Sequence, residues 1–104
     1  MAKVIWADPA LANLKSIVEY ISHDSPTYAS RFALTVVAAP RRLELFPHSG
    51  RIVPEFGRPD VRELIHGAYR IVYQIRGDVC YIVAVAHGSR DILQHIEPGD
   101  WVIG

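Results

Sequence analysis

The stretch from Val61 to Asp91 reads VRELIHG-AYRIVYQIRGD-VCYIVAVAHGSRD and constrains the fold more than any other part of the chain. Three runs rich in Val, Ile and Tyr follow one another, broken only by Gly67-Ala68 and Gly77-Asp78. A glycine opening a two-residue break is the mark of a tight hairpin, because that position needs a positive φ. The segment is therefore expected to be a meander of three antiparallel strands. With Gly77-Asp78 as a turn, Arg76 pairs with Val79, and counting back sets Arg70 opposite Val85.

Side chains alternate along a strand. One face should hold Tyr69, Ile71, Tyr73 and Ile75 with Cys80, Ile82, Ala84 and Ala86, and should cover helices. The other should hold Arg70, Val72, Gln74 and Arg76 with Val79, Tyr81, Val83, Val85 and His87. On that count Arg70 and His87 are diagonal neighbours roughly 7–8 Å apart. Gly67-Ala68 as the first turn sets Glu63 opposite Val72 and diagonal to Arg70.

The first half of the chain is helical in pattern. Lys3 to Ala7 is short and apolar enough for a strand. Asp8-Pro9 then supplies an N-cap and a first helical residue. Leu11, Leu14, Val18 and Ile21 recur at helical spacing to about Ser22. Ser25-Pro26 caps a second helix carrying Ala29, Phe32, Ala33, Val36 and Val37. Pro40 lacks an N–H and should interrupt that helix, with Arg41 to Phe46 adding a turn or two. Residues 47–60 are rich in Pro and Gly and read as a loop with a short extended piece at Ile52-Val53. The expected fold is α+β, an N-terminal strand and a two-helix hairpin packed on an antiparallel sheet made mainly of the meander. A chain of 104 residues is expected to form a single domain over 1–104.

Composition narrows the function. The 11 basic residues balance the 11 acidic ones, whereas nonspecific nucleic-acid binding relies on excess Lys and Arg. Direct nucleic-acid binding is therefore not the expected main role. Cys80, the sole cysteine, fits a reducing compartment and reads as a buried thiol. Neither a signal peptide nor an apolar run long enough for a membrane span is read, so a cytoplasmic protein is expected. His23, His48, His66 and His95 lack ligand spacing, so neither metal nor cofactor is expected.

One polar constellation carries chemistry: Glu63, Arg70, His87 and Arg90. Read as a site, Arg70 and Arg90 would grip an anion, with His87 and Glu63 available for proton transfer. Read as structure, the same residues are a solvated sheet face with a Glu63–Arg70 cross-strand pair. Arg70→Ala on an open face would shift stability by about 0.5 kcal/mol or less.

The order of strand, helix hairpin and meander resembles the ParE/RelE toxins of type II toxin–antitoxin modules across essentially the whole chain. The carrying residues are FPHSGR (46–51), RELIHGAYRIVY (62–73) and VAHGSRDI (85–92). The HGSRD ending is more like the ParE branch. The resemblance implies a growth-inhibiting toxin neutralised by a cognate antitoxin. ParE-like members poison DNA gyrase by binding. RelE-like members cleave mRNA on the ribosome with a basic set, and Arg70 and Arg90 match two of its arginines. The lysines that branch places before the YRIVY run are absent; Arg62-Glu63-Leu64-Ile65 stands there. The late Tyr of that pattern has no counterpart, and His87 lies near a catalytic histidine of some relatives. A gyrase-binding toxin using Arg70, Arg90 and the apolar Trp101 as contacts is the leading expectation. A ribosome-dependent endoribonuclease using Arg70, His87, Arg90 and Glu63 is the first alternative. A non-toxic relative that only binds its antitoxin or acts as a corepressor is the second.

Overall fold

In the computed structural model, residues 1–89 are described. Strand β1 (Lys3–Trp6) leads into helix α1 (Asp8–Ser22), then α2 (Pro26–Ala38), a 3-10 turn (Ala39–Glu44), and strands β2 (Arg51–Ile52), β3 (Val61–His66), β4 (Tyr69–Arg76) and β5 (Val79–His87). One five-stranded sheet forms, in the order β1-β5-β4-β3-β2. The meander is antiparallel, and β1 adds to β5 in parallel, so the sheet is mixed.

Local chemistry explains the joints. Ser25 caps α2 by accepting from the Tyr28 N–H, with Pro26 as first helical residue. At α1 the N-cap is Ala7, and Asp8 is already inside the first turn without a side-chain capping bond. Pro40 ends α2 as expected, because the chain tightens into the 3-10 turn there. Gly67 and Gly77 both have φ +59 while, among the described residues, no other kind of residue has a positive φ, the pattern of type II′ hairpins.

Two cores sit on the two faces of the sheet. Under the helices, Leu14, Phe32, Val36 and Leu43 pack on Leu64, Ile71, Tyr73, Cys80, Ile82 and Val85. On the other face, Val61, Val72, Val83 and Ala84 are sealed by Val53 and Phe56. Residues 53–60 therefore form a strap across the face that alternation alone left open. The strap is folded by backbone bonds from Phe56 and Gly57 to the Val53 carbonyl, with Gly57 at φ +63.

The register differs from the simple count. A bulge between Val72 and Tyr73 pairs Tyr73 with Ile82 but Val72 with Ala84, leaving Val83 as the additional residue. Beyond it every side chain of β5 changes face. Arg70 pairs with Ala86, not Val85, and His87 pairs with Tyr69. Val85 and His87 thus lie on the helix side, and Ala84 and Ala86 on the strap side. Glu63 does face Val72.

Candidate functional site

Arg70 is the centre of an alternating chain of charges. It projects from β4 onto the strap face, where it is 6% exposed and not open to solvent. Its Nε donates to Glu63 Oε1 at 2.6 Å. Its two terminal nitrogens donate to both oxygens of Glu55 at 2.6 and 2.7 Å, a bidentate fork. The other oxygen of Glu63 accepts from Arg51 Nε at 2.5 Å. The order Arg51–Glu63–Arg70–Glu55 balances two cations with two carboxylates. Hydrogen bonding to Arg70 holds the Glu55 carboxyl down at about 2, against the usual 4.5. Glu55 in turn raises the Arg70 pKa, ahead of the opposing effect of burial.

The same end of the strap is tied down elsewhere. Tyr73, fully buried, donates from its hydroxyl to the Pro47 carbonyl at 2.7 Å and accepts from the Gly50 N–H at 3.0 Å. Burial pushes its phenol pKa up. Gly50 is required there, since a Cβ would lie 2.7 Å from both the Glu63 carbonyl and the Tyr73 hydroxyl. Arg62 donates to the carbonyls of His48, Gly50 and Pro59. Asp60 is raised by burial, but bonds from Arg58 and Gln74 outweigh that and leave its pKa lowered. Cys80 is a free, fully buried thiol whose pKa burial raises, the inert cysteine expected.

His87 belongs to a different surface. It stacks edge-on to Tyr69 with ring centroids 5.4 Å apart, and Tyr69 meets Phe32 of α2 at 5.0 Å. The Ser89 backbone N–H donates to His87 Nδ1 at 3.2 Å, so that nitrogen carries a lone pair. The diagonal pairing of Arg70 with His87 is therefore corrected: the bulge turns the two groups to opposite sides of the sheet. The sequence brought Glu63 and Arg70 together correctly, as a cross-strand pair. Arg90 and Trp101 lie outside the described residues. Glu55 and Arg51 were missed; the available signal was two acids and an arginine flanking a strand with apolar residues on both faces, which needs a cover on each. Among the described residues no group of three or more His, Cys, Asp or Glu could hold a metal ion, and no helix is long and apolar enough to cross a membrane.

The chain thus sets a helix hairpin on one face of a mixed sheet whose meander carries a Tyr-Arg-Ile-Val-Tyr strand. A family model described as the ParE toxin of the type II toxin–antitoxin system parDE matches residues 4–92. The Toxin RelE2 of Caulobacter vibrioides is 35% identical over 91 residues, covering 86% of this chain and 99% of that protein. A solved structure titled as the chromosomal ParDE system from P. aeruginosa shares the fold, with a TM-score of 0.70 at 21% identity, covering 84% of this chain and 96% of that one. The chain belongs to the ParE/RelE family of toxins of type II toxin–antitoxin systems, and membership implies an antitoxin partner.

Proposed function

We propose that the chain is a ParE-like toxin that arrests growth by binding DNA gyrase, rather than by cutting RNA, and that a cognate antitoxin neutralises it. The observation that carries this reading is the neutralised, covered state of Arg70. Cleaving a phosphodiester requires cations placed to stabilise charge that develops in the transition state. Here the Arg70 guanidinium spends its Nε and both terminal nitrogens on Glu55 and Glu63. Glu63, one candidate for proton transfer, is held between Arg70 and Arg51, and His87, the other, lies across the sheet from Arg70. The described residues therefore do not assemble the arginine–histidine pair that the nuclease alternative requires.

The 35% identity to a protein named Toxin RelE2 favours the ribosome-dependent endoribonuclease as a second reading. Arg90, which would belong to both readings, remains a proposed contact, as does Trp101. Inducing the chain without antitoxin separates the readings. Gyrase poisoning predicts relaxed plasmids and broken chromosomes, with primer extension showing no codon-linked cuts. Codon-linked cuts with normal plasmid topology would replace it with the nuclease. Normal growth would leave only the non-toxic, antitoxin-binding role.

A further inference from the structure

The strap covers only part of the face opposite the helices. Strand pairing puts Lys3, Val79 and Arg76 in one row across β1, β5 and β4, and Ile5, Tyr81 and Gln74 in the next. Paired residues share a face, and the partners on alternate rows (Val4 with Cys80, Trp6 with Ile82) pack under the helices. The first two rows therefore look away from them. Ile5 is 39% exposed. Lys3 and Arg76 are exposed, and Val79 and Tyr81 are half-buried. Two strand spacings set Lys3 and Arg76 about 10 Å apart. Among the described residues neither cation has an ion-pair partner; the four bridges found involve Arg51, Arg58 and Arg70. Asp78 lies in the turn beside Arg76, and the Asp60 carboxylate that accepts from Gln74 is already paired with Arg58. Gln74 completes the second row, and its buried side-chain oxygen has no donor among the described residues. An apolar strip of Ile5, Tyr81 and Val79, flanked by two cations without an ion-pair partner among the described residues, is complementary to an acidic segment bearing apolar residues.

We infer that the Lys3–Ile5–Arg76–Val79–Tyr81 face docks an acidic, amphipathic segment of the antitoxin, on the side of the sheet away from the helix hairpin. The inference rests on the reading that the chain has an antitoxin partner. Docking would bury Ile5 and Tyr81 and pair both cations, so the complex should weaken with added salt.

The test measures binding of the protein encoded beside the toxin gene, by calorimetry, to wild type and to Lys3→Glu, Arg76→Glu, the double variant and Lys15→Glu. Lys15 is exposed on α1 and controls for net charge. Each reversal on the face should weaken binding about fivefold to tenfold, and the double variant at least about thirtyfold, with Lys15→Glu within about twofold. Ile5→Ser, which keeps all charges, should weaken it about tenfold. Unchanged circular dichroism separates these losses from unfolding. A double variant that binds like Lys15→Glu overturns the docking face while leaving the antitoxin reading intact. Absence of any complex with wild type overturns that reading and the face with it.

Discussion

Replacing Arg70 with Ala should destabilise the domain far more than an exposed substitution would. The Glu63 side chain is 0% exposed and that of Arg70 is 7% exposed. Removing the guanidinium leaves Glu63 buried with Arg51 as its remaining charged partner, and Arg51 is 59% exposed. Glu55, at 28% exposure, can turn toward water and loses little. Breaking a buried ion pair from one side costs about 3–5 kcal/mol. The retained Arg51 bond places this case at the lower end, about 3 kcal/mol. At roughly 4–8 °C per kcal/mol for a chain of this size, the melting temperature should fall by about 12–24 °C. Urea titration followed by circular dichroism measures the loss, with a double-mutant cycle against Glu63→Gln. Removing the carboxylate's charge as well should recover about half the loss, since an uncharged amide tolerates burial better. A loss of about 0.5 kcal/mol or less, or strict additivity in the cycle, would refute the buried-network argument and restore the open-face expectation.

Other consequences are directly measurable. Glu55 has its carboxyl held at about 2 in the folded chain against 4.5 ordinarily. Its stabilising contribution is therefore complete above about pH 4.5 and is lost as pH falls toward 2; because Glu55 is open to solvent, Glu55→Gln should flatten the acid limb of stability by about 1 kcal/mol or less. Tyr73→Phe removes the partner of the Gly50 N–H and the Pro47 carbonyl and should cost about 1–3 kcal/mol in denaturant titrations. Gly50→Ala forces a Cβ to 2.7 Å from the Glu63 carbonyl and should cost about 1–3 kcal/mol by the same assay. His87→Ala, at an exposed end of β5, should leave folding and growth arrest unchanged; abolished toxicity in a folded variant would point to proton transfer.

Much of the fold was written in local chemistry. Gly67-Ala68 and Gly77-Asp78 fixed the hairpins because those turns demand a positive φ at their first residue. Ser25-Pro26 and Pro40 fixed where α2 begins and ends. The site was less legible, and for two physical reasons. Ile82-Val83-Ala84 is apolar throughout, so nothing in its pattern reveals which residue is extruded at the bulge, yet that residue decides the face of His87. The strap is held by contacts between residues distant in sequence, such as Glu55 with Arg70 and Val53 with Val72. Local propensity carries no information about such contacts. What could have signalled it was the excess of valine on the supposedly open face, at Val72, Val79 and Val83.

The most direct test of the claim that this toxin binds rather than cuts is a supercoiling assay with purified DNA gyrase and the purified chain. The account predicts that supercoiling fails in a dose-dependent way and that adding antitoxin restores it. Undiminished supercoiling at doses that arrest growth, together with cleavage of translated message by the same preparation, would contradict it.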